Sequence, residues 1–171
     1  GAISLLGTNA VGTFAANTAT PGAGVEFRNT GTGTVAVDTV AAQGQFPSTT
    51  GVVVNNADIA INTAGSQVYA SNITAGDHAI RVVSGGGISQ TGGAITGIAL
   101  GVRANGTVDL NQAGNDVDSF AALNTGAGSA TTFRDADALD ITNVGGITSG
   151  LFTAVSGITT SNGDATLNIG T

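Results

Sequence analysis

The sequence predicts an all-β chain wound as a parallel β-solenoid, and three observations carry that prediction. Glycine fills 28 of 171 positions and charged residues only 9 %, against roughly 7 % glycine and 25 % charge in ordinary globular chains. Short runs of alternating apolar and small polar residues recur between turns rich in Gly, Asn and Asp. Large aromatics are scarce, with no Trp and one Tyr (Tyr69) beside a hydrophobic content of 41 %. A β-sandwich normally centres on such aromatics, so the core here has to be thin and built from Val, Ile, Leu and Ala. The same composition excludes a helical bundle: glycine costs about 1 kcal/mol per helical position relative to alanine, and the chain has no Lys, no Met and one Glu. It also excludes a disordered polymer, because the hydrophobic content is high and prolines number two.

The strands are read from alternation. Thr-Val-Ala-Val-Asp at 34–38, Asp-Ile-Ala-Ile-Asn at 58–62, Thr-Val-Asp-Leu at 107–110, Leu-Asp-Ile at 139–141 and Asp-Ala-Thr-Leu-Asn-Ile at 164–169 all have period two, which buries one side of a strand. Between them, Gly76-Asp77, Gly85-Gly86-Gly87, Asn105-Gly106, Gly145-Gly146 and Asn162-Gly163 punctuate the chain too often to leave room for a helix. In a solenoid, small turn residues let each coil rest on the coil below, about 4.8 Å away. At roughly 20 residues per coil the chain makes about eight coils, a rod about 40 Å long.

A long internal repeat is visible in the rarest apolar residue. The six phenylalanines form pairs 106 positions apart: Phe14 with Phe120, Phe27 with Phe133, Phe46 with Phe152. Arg28 and Arg134 follow their phenylalanines, and the same offset matches Asn9 with Asn115, Val11 with Val117, Gly51 with Gly157, Asn56 with Asn162, Asp58 with Asp164 and Asn62 with Asn168. Residues 1–171 therefore read as a single solenoid segment in which 1–65 and 107–171 are diverged copies and 66–106 fill the interval. All six phenylalanines are expected in the structural core, where each buried ring contributes roughly 1.5–3 kcal/mol.

Several chemistries are excluded by what is missing. With no Cys there is no disulfide, thiolate nucleophile or cysteine zinc site. A single histidine, His78, cannot build a multi-histidine metal centre. A net charge of −7 with four arginines repels phosphate backbones, so nucleic acid is not an expected partner. The stretches 39–57 and 141–163 are long and uncharged but are interrupted by Gly, Thr, Ser and Asn too often for a bilayer span, and the expectation is a chain that does not span a membrane. The fragment opens without a basic signal segment, so any signal peptide lies outside it or has been removed.

Ten of the eleven acidic residues are aspartates. Asp116, Asp118, Asp135, Asp137 and Asp140 cluster in sequence and are the weak candidates for a calcium site, the one cofactor weighed. The plainer reading is turn aspartates that accept backbone N–H bonds. The glycine-rich calcium nonapeptide Gly-Gly-x-Gly-x-Asp does not occur. No catalytic residue is assigned, and the expectation is a protein that is not an enzyme. The alternative is a carbohydrate-binding or carbohydrate-active β-helix using a groove near Arg134, Asp135 and Asp137, where paired carboxylates supply acid and base. Arg28 and Arg134, beside inward phenylalanines, are expected to point outward, and His78 to sit at the surface.

The segment Gly-Ile-Ser-Gln-Thr-Gly-Gly-Ala-Ile-Thr at 87–96, then Asn-Gly-Thr-Val-Asp-Leu at 105–110 and Gly-Asn-Asp-Val-Asp-Ser-Phe-Ala-Ala at 114–122, resembles the repeats of bacterial filamentous-haemagglutinin-like proteins and of large autotransporter passengers. The run from Phe133-Arg134-Asp135-Ala136-Asp137 to 158–164 continues the pattern. The resemblance implies a right-handed parallel β-helix, exported and displayed at the bacterial cell surface or released, and serving as an adhesin or fibre. It implies no catalytic residue. Its partners would be its own kind, through self-association of terminal coils or continuation of a longer array, and a host surface or polysaccharide.

Residues 1–6 and 165–171 both read as ordinary repeat strand, without the charge or proline that blunts an exposed edge. The ends are thus expected to be uncapped, and the function expected is the structural shaft of a secreted surface adhesin or extracellular filament.

Overall fold

The computed structural model describes residues 1–170 and contains strands and turns with no helix among them. Each coil crosses three faces. Face 1 stacks Ile3–Asn9, Val25–Asn29, Ile59–Thr63 and the later parts of Ile73–Ser84, Ile95–Ala104 and Asp116–Asn124, followed by Asp140–Ile141 and Ile158–Thr160. Face 2 stacks Thr13–Phe14, Val35–Val37, Gln67–Tyr69, Ile88–Gln90, Val108–Leu110, Thr131–Asp135 and Ala165–Ile169. Face 3 stacks Ala16–Thr18 and Val52–Val54 on the early parts of the long strands Ile73–Ser84, Ile95–Ala104 and Asp116–Asn124. Those long strands turn a corner without a break and join faces 1 and 3 into one ten-stranded sheet. Every pairing in these stacks is parallel, and no sheet closes into a barrel.

Alternation turns into columns. Along face 1 the inward positions run Val25, Ile59, Ile80, Leu100, Phe120 and, two residues on, Phe27, Ile61, Val82, Val102, Ala122. All ten are buried and belong to one continuous core. The five runs of alternation in the sequence all appear as strands: Val35–Val37, Ile59–Thr63, Val108–Leu110, Asp140–Ile141 and Ala165–Ile169. The register climbs by 21, 20 and 20 residues between Ile59, Ile80, Leu100 and Phe120. Two coils are longer because each holds an antiparallel hairpin, Thr39–Val40 with Thr49–Thr50 and Asn143–Val144 with Val155–Ser156. The main path through each long sheet therefore has seven strands, where an even coil length projected eight coils.

The 106-residue offset has a geometric meaning that sequence alone does not show. From Val25 the register rises through Ile59, Ile80 and Leu100 to Phe120, and the same coil then passes to Thr131 on face 2. From face 1 the offset thus carries a residue four rungs up and one face on, to face 2, whereas Phe14 and Val35 on face 2 pass to Phe120 and Ile141 on face 1. Backbone shape follows it: left-handed φ values occur at Gly22 and Gly128, Gly44 and Gly150, Gly51 and Gly157, and at the non-glycines Asn56 and Asn162. Each copy also stacks two rings across the interior, Phe14 on Phe27 at 3.9 Å and Phe120 on Phe133 at 4.5 Å between centroids.

The remaining phenylalanine pair corrects the expectation that all six rings fill the core. Phe152 is buried, but outside the coil, beneath its hairpin on the outer side of face 1 with Ala121, Val144 and Val155. Phe46, its counterpart, is 79 % exposed. Period-two alternation fixes which side of a strand faces inward, but both rings lie in hairpins that leave the coil, where that rule has no hold.

Polar groups inside the coil are satisfied. At the corner after face 1, Asn29, Thr63, Ser84, Asn124 and Thr160 share one column, broken at Ala104. Each bonds a backbone carbonyl of the turn that follows: Gly31, Gly65, Gly87, Ser129 and Gly163 in that order. At the corner after face 2 the buried Gln90 and Asn115 exchange reciprocal amide bonds at 2.7 and 2.9 Å. Tyr69 donates to Gln67, and burial pushes its phenol well above the usual value.

Candidate functional site

The two ends of the coil are the first candidate. Ile3–Asn9 pairs with one neighbour, Val25–Asn29, and Ala165–Ile169 pairs with one neighbour, Thr131–Asp135. One edge of each strand offers its N–H and C=O groups to whatever lies beyond. The interior columns open there as well. Leu5 stands in the column of Phe27 and Leu167 in that of Phe133, yet they are 42 % and 36 % exposed where those rings are buried. Ile169, stacked on the buried Asp135, is likewise exposed. Apolar columns and unpaired edges are thus offered together, an arrangement that templates another strand.

The aspartates singled out in the sequence have different fates. Asp116, Asp118, Asp137 and Asp140 are exposed. Asp135 is buried inside the coil, and its two carboxylate oxygens accept the backbone N–H groups of Val117 at 3.0 Å and Asp137 at 3.3 Å. Burial raises its pKa above the ordinary carboxylate value; the two N–H bonds oppose that shift, and the charges of Asp116 and Asp137 add to it. Asn29 does the same task 106 positions earlier, accepting the Val11 N–H at 2.8 Å. Asp135 is therefore a corner fastener rather than a member of an open acidic groove with Arg134 and Asp137. Among the described residues, no three acidic or histidine side chains converge in a way that could hold a metal ion.

Sequence reasoning misses the best-organised ionic cluster. Asp58 and Arg81 lie 23 positions apart, but coiling brings the Arg81 Nη1 to 2.8 Å from the Asp58 Oδ2, and His78 Nδ1 to 3.4 Å from Oδ1. The Ala79 N–H also donates to Asp58 at 3.1 Å. Partial burial alone would raise the Asp58 pKa; the hydrogen bond and charge of Arg81, with the bonds from Ala79 and His78, outweigh it and hold the carboxyl below its ordinary value. The Arg81 Nε donates in turn to the Gly145 carbonyl at 2.7 Å, tying the second hairpin to the coil. An open cleft of about 300 Å³ lies between that hairpin and face 1, lined by Glu26, Asp58, Ala60, Arg81 and Ile147 among others. The signal that could have found this cluster is a spacing close to the coil length.

The second hairpin covers face 1 because the outward residues beneath it are small or apolar. Val83, Ala99, Ala121 and Leu123 underlie Val144, Phe152 and Val155. At Gly101 an added Cβ would lie 2.6 Å from Phe152 Cζ and 2.8 Å from Val144 Cγ1, so the ring sits where only hydrogen fits. The hairpin reaches down to Asn62, whose Nδ2 donates to the Leu151 carbonyl at 2.8 Å.

No family model, curated protein or solved structure matches this chain. Among the described residues, no helix is long and apolar enough to cross a membrane.

Proposed function

We propose that this chain is the structural shaft of a secreted bacterial surface adhesin or extracellular filament, a right-handed β-helix whose coils stack on further coils at both ends. The observation that carries the reading is the open end of the core, where Leu5, Leu167 and Ile169 continue buried columns into solvent beside unpaired strand edges. Burying such a leucine contributes roughly 1.5–3 kcal/mol, and each new rung also pairs a row of backbone groups, so continued stacking is favoured over isolation. The mechanism is mechanical: parallel ladders and a dry interior make a stiff rod, and with four arginines and no lysine the chain offers trypsin few sites. Export and surface display follow from the resemblance of 87–96, 105–110 and 114–122 to filamentous-haemagglutinin-like repeats. Adhesion would lie in modules that the shaft carries outward.

Negative-stain electron microscopy over a concentration series tests the reading. Thin fibres much longer than one chain are expected, and Leu5→Lys with Leu167→Lys, which place charges in the open columns, should abolish them. Discrete particles of single-chain size at every concentration would refute end stacking.

A further inference from the structure

The two hairpins arise at nearly equivalent places in the repeat, their closing strands 106 positions apart and their opening strands, Thr39–Val40 and Asn143–Val144, 104 apart, but they end in opposite states. Thr49–Thr50 and Val155–Ser156 are 106 positions apart, as are the left-handed glycines Gly44 and Gly150 within the loops and Gly51 and Gly157 after them. Phe152 is 2 % exposed and Phe46 is 79 % exposed. The difference lies in what each hairpin finds below it. The second one folds down over the outer side of face 1 and rests on Ala121 and Leu123 one rung below, Ala99 and Gly101 two rungs below, and Val83 three rungs below.

Carried back by the offset, Ala121 and Leu123 become Ala15 and Asn17, which are present. Ala99, Gly101 and Val83 correspond to positions beneath the first rung, ahead of Gly1. Each of those three seat residues belongs to 66–106 in the copy where the seat exists. The Arg81 side chain that ties the second hairpin through Gly145 belongs to that stretch too.

We propose that the Phe46 hairpin is a clasp whose seat is a block of coils of the 66–106 type, stacked beneath Ile3–Asn9 in the same polypeptide. The ring of Phe46 then lies over the glycine equivalent to Gly101, flanked by the equivalents of Ala99 and Val83. Each 106-residue unit is thereby fastened to its predecessor in two ways, by strand pairing inside the coil and by a hairpin gripping the outside. The clasp rests on the stacking reading given above and adds to it a second contact, which pairing alone does not require. A contact on the outer face also fixes which face of one unit follows which face of the next, because the seat exists on one face only.

The test compares the 171-residue chain with a chain in which residues 66–106 are repeated directly ahead of Gly1, both carrying Phe46→Trp. The probe is harmless to folding, since Phe46 is exposed. Phe152→Trp in the original chain gives the signature of a seated ring. In the original chain, the indole at position 46 should emit at long wavelength and be freely quenched by acrylamide. In the extended chain, its emission should shift to shorter wavelength and its quenching should fall to the level of the Phe152→Trp variant. Gly101→Val in the added block should restore the exposed signature while leaving the Ile3–Asn9 amides protected from hydrogen exchange. Protected amides with the position-46 indole still exposed would overturn the clasp and leave stacking intact. Unprotected amides would overturn both, and an indole at position 46 that stays seated despite Gly101→Val would overturn the assigned seat.

Discussion

Phe152→Ala and Phe46→Ala delete the same ring at equivalent points of the repeat and should differ sharply in effect. Phe152 is 2 % exposed and packs with Val144, Val155 and Ala121. Its removal forfeits roughly 1.5–3 kcal/mol of apolar burial. The hairpin is tied to the coil by single hydrogen bonds, from Arg81 Nε to Gly145 and from Asn62 to Leu151, so it can lift or settle. The cost therefore stays below the roughly 3–5 kcal/mol seen where a rigid core keeps its cavity. At about 2–4 °C per kcal/mol for a chain of this size, the melting midpoint should fall by about 3–12 °C. Phe46→Ala removes an exposed ring and should stay within about 0.5 kcal/mol. Circular dichroism melts measure the midpoints. Hydrogen exchange at Val144 and Val155 should speed up in Phe152→Ala, while Leu100 and Val102, inside the coil, stay protected. Equal midpoints for the two variants, or loss of protection at Leu100 before Val144, would refute the assignment of Phe152 to an outer seat.

Asp135→Asn, which keeps one oxygen acceptor but replaces the other with an amide nitrogen, should remove this group's pH dependence from the stability of the chain. The raised pKa of Asp135 means that the folded state holds the proton more tightly than the unfolded chain, so the native protein gains stability as pH falls from neutral through the folded value. The midpoint of the amide variant relative to the parent should therefore fall over that range in melts taken at successive pH values. Arg81→Ala should show the reverse trend. The stabilisation from Asp58 is present above the unfolded carboxyl pKa near 3.8 and is lost as pH falls through the lower folded value, so the deficit of the variant should close on acidification. Asn124→Ala strips the partners from the Gly126 N–H and the Ser129 carbonyl, while the Ala130 carbonyl keeps the Val108 N–H. At about 1–3 kcal/mol per buried group left unsatisfied, it should lower the midpoint and open amide exchange across 125–130 before the rest of the coil. Melts with calcium and with chelator should coincide, since Asp135 spends both oxygens on backbone N–H groups.

Much of this architecture is legible in the residues. Alternation at 34–38, 58–62, 107–110, 139–141 and 164–169 marks strands that the fold contains, because a strand with one buried side has to place apolar residues two apart. Gly-rich turns and scarce aromatics point to thin stacked coils, and the spacing of the phenylalanines marks positions that share backbone shape. The Asp58 and Arg81 pair escapes such reasoning because its separation of 23 positions gains meaning only once the number of residues per turn is known. Asp135 looks like a surface acid because aspartate usually is one; its burial depends on the Val117 and Asp137 N–H groups that only a corner could aim at it.

Local residue chemistry was enough to set the inward side of each strand, the all-β character and the period of the repeat, since these depend on hydrophobicity and turn-forming tendency within a few residues. It took the folded stack to settle that the offset changes the face as well as climbing the stack, and that one hairpin is seated while its twin stands free. Those outcomes depend on which surfaces lie beneath a given residue, a property of the whole pile of coils that no local pattern records.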